Sequence, residues 1–430
     1  MSSTSAAAPL DLSFVRAQFP SLADGFAFLD NAGGSQTLGR VIDRIADYLR
    51  TTNVQMGASY AVSERAGARM QEAQQRMAAF VNASRPEEVV MGPTSTQLVQ
   101  VLARGMAHQF APGDEVVVTR ADHESNIGAW VGLEAVGVVP RFWEFDPVTR
   151  RLELDGLDRV MSPRTKLVAF THASNIFGTI HPVTEITRFV HERGAKVCVD
   201  GVAYAPHRLL DVTALDVDFY VLSLYKVYGP HHALLYGKYA HLLELAGQYH
   251  YFIPPDRIPY KLQPGNPNYE LSWGSVGIVD YAEELGARDP QAAAGHSRAD
   301  AGAGANAGTP RARMEAAFDA IALHEEVLAQ RLLDYLATKP RVRVIGEATA
   351  DRAVRVPTIS FTVDGVMAPD VVRQIDPLDI GIRYGDFHSR RLVDHLGLQA
   401  TGGVVRVSMV HYNTVEEVDR LVAGLDAIIG

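Results

Sequence analysis

Between about residues 26 and 236, short β-branched runs alternate with longer segments of helical period. That alternation limits the fold more than any other feature of the 430-residue chain. Parallel strands need long crossovers, and helices between them supply these, so the pattern predicts an α/β fold built on a mostly parallel sheet. The predicted strands are EVVVT (115–119), KLVAFTH (166–172), KVCVD (196–200), DFYVLS (218–223) and HALLYG (232–237). Residues 97–109, 125–136 and 183–193 read as amphipathic helices between them.

The stretch 287–310 changes character, being rich in Ala, Gly, Ser and Pro, and reads as a flexible insertion. Beyond it a long amphipathic helix (313–338) precedes the runs RVRVIG, TISFTV, DIGIRY and VVRVSM, a smaller α+β unit. The expected organisation is an N-terminal arm (1–24), a large domain (25–286), the insertion (287–312) and a small C-terminal domain (313–430). With 40 Lys and Arg against 50 Asp and Glu, and no polybasic block, the chain lacks the footprint of a nucleic-acid or anionic-membrane binder. Its single cysteine, Cys198, excludes an intrachain disulfide framework and a multi-cysteine metal site. No basic-then-apolar leader and no run of about 18 apolar residues is present, so a cytoplasmic, non-membrane protein acting on a small molecule is expected. The pair His231–His232 lacks accompanying metal-ligand spacing and reads as loop.

Five segments place polar groups at the carboxyl ends of the predicted strands or at helix openings, the edge where parallel sheets bind ligands. GPTST (92–96) offers hydroxyls and free N–H groups at a helix start, a phosphate cradle or an ordinary cap. His123, beyond EVVVT, can stack on a flat ligand or be a satisfied polar residue. Asn175, beyond the strand at 166–172, can bond a ligand hydroxyl or serve a turn. Asp200 ends KVCVD, and Lys226 follows DFYVLS after only Leu224 and Tyr225. A carboxylate there can keep a heteroaromatic nitrogen protonated, and a desolvated lysine at the next strand end can form a Schiff base. An Asp–Lys ion pair is the plainer alternative.

Together these segments resemble the class V aminotransferase group of fold-type I pyridoxal phosphate enzymes, closest to its cysteine desulfurase and selenocysteine lyase branch. The resemblance runs through FLDNAGGSQ (28–36), DHESNI (122–127), HASNIFGTIHPV (172–183), VDGVAYAPH (199–207), DVDFYVLSLYKVYGP (216–230) and VRVSMVHYNTVEEVDRL (405–421). It implies a large domain with a seven-stranded sheet, a smaller α+β domain, and pyridoxal 5'-phosphate as cofactor. It further implies Lys226 as Schiff-base lysine and proton-transfer base, Asp200 as partner of the pyridine nitrogen, and His123 stacked on the ring. Asn175 would bond the ring hydroxyl, with Tyr225 beside the lysine. Ser95, Thr96 and Ser223 would hold the phosphate, and Arg406 would clamp the substrate carboxylate. Arg383, in a supporting role, and His207 align with family positions. Gly274 and Ser275, in ELSWGSVG, would complete the phosphate site of a neighbouring subunit, which implies a homodimer.

Three departures bear on the reaction. A desulfurase takes sulfur on a mobile thiol in the loop after an Arg-Thr-Gly segment, but this chain reads IRYGDFHSRR, with His388 about where the thiol belongs. Cys198 lies two residues before Asp200 on one strand, facing the same side deeper in the sheet. Tyr225 stands before the lysine where histidine is common, and Ala203 replaces the glutamine after VDG. The expected reaction is therefore activation of an amino acid at its α-carbon followed by elimination of a β-substituent, a C–S lyase without persulfide. Transamination and epimerisation, the latter with Tyr225 or His388 as second base, are alternative exits. A non-catalytic protein keeping the fold is the rival from another class, favoured if Lys226 is dispensable. A Rossmann enzyme is weaker, because the glycine cluster at 302–308 lies in the insertion.

Overall fold

The computed structural model describes residues 10–288 and 308–430. The predicted insertion therefore falls largely outside the described residues. Its described flanks are helical: one helix runs Tyr269–Ala287 and another Pro310–Ala337. They pack side by side so closely that a Cβ on Gly286 would lie 1.7 Å from the Arg313 carbonyl oxygen.

The strands in chain order are β1 (Ala27–Phe28), β2 (Val89–Gly92), β3 (Glu115–Thr119), β4 (Val139–Trp143), β5 (Thr165–Thr171), β6 (Lys196–Asp200), β7 (Phe219–Ser223), β8 (Ala233–Gly237), β9 (Val342–Ile345), β10 (Thr358–Val363), β11 (Ile380–Gly381), β12 (Arg383–Gly385) and β13 (Val404–Ser408). Seven of them form the large sheet in the order β2-β8-β7-β6-β5-β3-β4. Neighbours from β7 to β4 are parallel, and β8 runs antiparallel to both β7 and β2. The inner strands are buried along nearly their whole length, since helices cover both faces. Continuous apolar runs such as FYVLS are what such a position demands. β4 escaped the sequence reading because its VPRFW alternates exposed and covered residues and contains Pro140, features of the edge position it holds.

A second core surrounds the antiparallel sheet β12-β13-β10-β9. The helix Pro310–Ala337 belongs to both cores: Met314, Phe318 and Ile321 pack in the first, and Leu328, Leu332 and Leu336 in the second. The expected boundary near residue 313 thus falls instead within one continuous helix. Residues 27–29 were expected in the large domain, yet β1 pairs in parallel with β11, and Ala27 and Leu29 pack in the second core. This pairing also divides the expected strand DIGIRY at Ile382.

The turn after β5 stitches the cores together. Val356 N–H donates to the Gly178 carbonyl at 2.9 Å and Ile180 N–H to the Val354 carbonyl at 2.8 Å. Gly178 has φ +73°, and a Cβ there would lie 2.4 Å from the Thr358 carbonyl oxygen; both facts require glycine. Among the described residues no helix is long and apolar enough to cross a membrane.

Candidate active site

The carboxyl ends of β3, β5, β6 and β7 converge on one cavity of about 390 Å³. At one end the helix Ser95–Met106 begins. Thr94 caps it, accepting from Gln97 N–H at 3.1 Å. Ser95 Oγ lies 2.9 Å from Ser223 Oγ at the end of β7, and Thr96 Oγ1 2.7 Å from Ser125 Oγ at the start of the helix Ser125–Val131. Four hydroxyls thus meet at the positive end of a three-turn helix, a donor set suited to a phosphate group.

Lys226 closes a single tight turn after β7 (Leu224–Lys226), which carries its side chain back over the sheet edge. It is 7% exposed, and no group in the described residues accepts a hydrogen bond from its Nζ. Burial first, then the positive charge of Arg406, pushes the Lys226 ammonium down to about 8, against the upward pull of Asp200 and Asp30. Asp200 accepts one hydrogen bond, from Val202 N–H at 2.8 Å. Burial pushes its carboxyl up, while that N–H and the Lys226 charge pull it back. Burial, followed by the charges of Lys226, His388 and Arg406, pushes the His123 imidazole down to about 3. Its Nδ1 accepts from Ser125 N–H at 3.1 Å, so the neutral ring carries its proton on Nε2. Beneath it Asp122 accepts from Thr119 Oγ1, Thr171 N–H and Asn126 Nδ2, tying the His123 turn to β3, β5 and the following helix.

The depressed lysine has a consequence for stability. Between about pH 8 and 10.5 the folded chain has released the Lys226 proton while the unfolded chain still holds it. The unfolded state then binds more protons, so stability rises with pH through this group. In cofactor-free protein, Lys226→Met is accordingly more stable than the parent at pH 7, and its advantage shrinks toward pH 10. Urea midpoints of the two proteins across that range check the sign.

A second cavity, also about 390 Å³, joins the first on the side of Arg406. Arg406 on β13 and Arg383 on β12 are direct cross-strand partners. Like charges so placed repel, and Asp30 lies between them, 3.1 Å from Arg406 Nη2 and 2.9 Å from Arg383 Nε. A Cβ on Gly33 would come within 2.8 Å of the Asp30 carboxylate, so glycine is needed for this close turn. Asn31 Nδ2 donates to the Ser408 carbonyl, and Ser408 Oγ accepts from Ala32 N–H, which docks the turn on the end of β13. Arg406 also donates to the Asn175 carbonyl at 3.2 Å and lies 3.7 Å over the Phe387 ring. Its buried Nε has no partner. Burial pushes the Arg406 guanidinium down to about 10, so it stays charged at neutral pH.

The structure brings Ser95, Thr96, His123, Asn175, Asp200, Ser223, Tyr225, Lys226 and His388 around the first cavity, and Arg383 and Arg406 around the second. It does not bring in Gly274 and Ser275. Both are buried inside the helix Tyr269–Ala287. Gly274 lies against Ile45, and Ser275 Oγ donates to the Leu271 carbonyl of its own helix. Both are covered by the chain's own residues. His207 is likewise remote, paired with Glu325 at 2.9 Å. Sequence reasoning missed Asp30 and His231. Asp30 stood in the quoted FLDNAGGSQ run without a role. His231, read as loop, lines the first cavity stacked on the Tyr225 ring at 5.1 Å, while His232 turns inward to Ser272.

The aminotransferase class-V family matches residues 27–251 and 303–421, which includes every element of this site. The chain belongs to the class-V aminotransferase family. Over 423 residues this class-V chain is 41% identical to the aminotransferase-like protein FGM3 of Gibberella zeae, covering 96% of the chain and 98% of that protein. It is 33% identical to the cysteine desulfurase-like protein ustD of Aspergillus flavus, covering 98% and 91%. Among solved structures it matches the cysteine desulfurase CsdA of Escherichia coli with TM-score 0.79 at 25% identity, over 98% of each chain. The cysteine desulfurase of Thermococcus onnurineus NA1 shares the fold, with TM-score 0.84 at 23% identity over 99% of each.

This class-V enzyme uses pyridoxal phosphate, as its family does, and the donor set fits that cofactor. Hydroxyls at a helix start suit the phosphate, a buried carboxylate suits the ring nitrogen, a neutral imidazole suits the ring face, and an unpaired amine suits the carbonyl.

Proposed function

We propose that the enzyme eliminates a sulfur substituent from the β-carbon of an amino acid and releases it without forming a persulfide. One observation carries the reading: the chain has no thiol able to take the sulfur. Its only cysteine, Cys198, is fully buried in β6, and burial beside Asp200, Asp122 and Asp218 pushes the thiol well above its ordinary value. His388 occupies the loop facing the site. When bound, pyridoxal phosphate supplies the carbonyl that joins the substrate amine and the electron-poor ring that accepts the pair left at the α-carbon.

The residues divide the remaining work. Arg406 receives the substrate carboxylate through its Nη groups, which here rest on the Asn175 carbonyl and Asp30. Lys226, low enough to be partly unprotonated near neutrality, accepts the α-proton. With the cofactor bound, Asp200 would hold a proton at the ring nitrogen, and His123, neutral near pH 7, would cover one ring face without competing for that proton. Ser95, Thr96 and Ser223 anchor the phosphate. Thr96 is exposed in the single chain, and we place a second copy of the chain over that opening, as in a homodimer; the mass in solution tests this.

Incubation with cysteine and S-alkylcysteines is expected to yield pyruvate and thiol in equal amounts, with the protein mass unchanged. A persulfide adduct on the protein overturns the reading. The similarity to a protein named aminotransferase-like favours one alternative, transamination, which would instead make a keto acid from alanine.

A further inference from the structure

The segment 386–389 lies over the junction of the two cavities, and it is pinned from three sides. Glu124 N–H donates to the His388 carbonyl at 2.8 Å, and the Glu124 carboxylate holds Arg391 with two bonds of 2.9 and 3.1 Å. Asn175 Nδ2 donates to the Phe387 carbonyl at 3.1 Å, and its Oδ1 accepts from Ser389 Oγ at 2.9 Å. Phe387 is further held beneath Arg406. Phe387 and His388 both have positive φ, 51° and 59°, a conformation that non-glycine residues keep only where surrounding contacts impose it. The outcome is a backbone held so that it presents the His388 imidazole at the cavity mouth. Its ring centroid is 5.2 Å from that of His123, and it borders both cavities while remaining exposed to water.

Resting on the elimination reading, we propose that His388 is the proton donor to the departing sulfur, and that Glu124, Asn175 and Arg391 are its positioning residues. An alkylthiolate is a poor leaving group, and a positioned acid is worth about 10²–10⁴-fold in rate for such a step. The C–S bond breaks with its electron pair on sulfur, sulfur takes the imidazolium proton, and Lys226 has taken the α-proton. Overall RSCH₂CH(NH₃⁺)COO⁻ and water give RSH, pyruvate and ammonium, with no external oxidant or reductant. Solvent returns the proton to the exposed His388 ring. Substrates are thereby drawn from thioether amino acids, whose departing sulfur a positioned acid assists.

The test compares S-methylcysteine, which needs the acid, with β-chloroalanine, whose chloride does not. His388→Asn is the variant of choice because asparagine tolerates the left-handed backbone. It is expected to lose about 10²-fold or more in kcat/KM on S-methylcysteine while staying within about threefold on β-chloroalanine. Equal losses on both overturn the proton-donor role and leave elimination standing. A parent enzyme that makes pyruvate from neither overturns elimination, and this inference with it. Hydrogen exchange of cofactor-free protein tests the clamp separately. Amides at 386–391 are expected to exchange slowly in the parent and at least about tenfold faster in Glu124→Ala. Exchange in the parent as fast as in open loops overturns the clamp.

Discussion

Lys226→Ala is expected to fold, to show no visible Schiff-base absorbance after loading with pyridoxal phosphate, and to lose at least about 10⁴-fold in turnover. Two functions end with one amine: its Nζ is the group placed to bond the cofactor carbonyl and the base placed to take the α-proton. Neighbouring groups offer no substitute. His123 is held far too low to act as a base near neutrality, and Asp200 is turned to the Val202 N–H. Absorbance spectra of the parent and variant, before and after a panel of amino acids, check the claim. A variant within tenfold of the parent overturns the assignment of both functions to Lys226.

Asp200→Asn is expected to leave the fold intact and cost about 10²–10³-fold in turnover, with weaker cofactor binding. The asparagine carbonyl can still accept from Val202 N–H, and the volume is unchanged, so β6 keeps its end. What disappears is the anion that would face the ring nitrogen and the charge-assisted bond it would make there. Circular dichroism, cofactor titration and single-turnover rates separate these effects. A variant with parental rates would mean the ring nitrogen works unprotonated.

These residues were legible because each depends on local sequence. Asp200 and Lys226 end or follow continuous apolar runs, FYVLS among them, that only a buried parallel strand accommodates, and the turn chemistry around Asn175 is local as well. Asp30 was opaque by contrast, since its meaning is its distance to Arg406, 376 residues away. The clamp on His388 likewise spans separations of 212 to 267 residues. Gly274 and Ser275 were expected at a phosphate site by resemblance alone, and within this chain close packing of two helices, with Ile45 against Gly274, accounts for the small residue. β4 hid behind Pro140, and the division into two cores hid within one uninterrupted helix.

On the proposed reading, Asp30 sets the terms on which this enzyme meets its substrate. Because both arginines already hold a carboxylate, capture of an amino acid is an anion exchange rather than the filling of a bare positive site. The incoming carboxylate shares Arg406 with a resident competitor that can never diffuse away. Loose holding of the ground state follows, and such looseness favours catalysis, since only interactions stronger in the transition state raise the rate. Asp30 thereby acts as a buffer on affinity, keeping the pocket from becoming a trap for the many amino acids it does not transform.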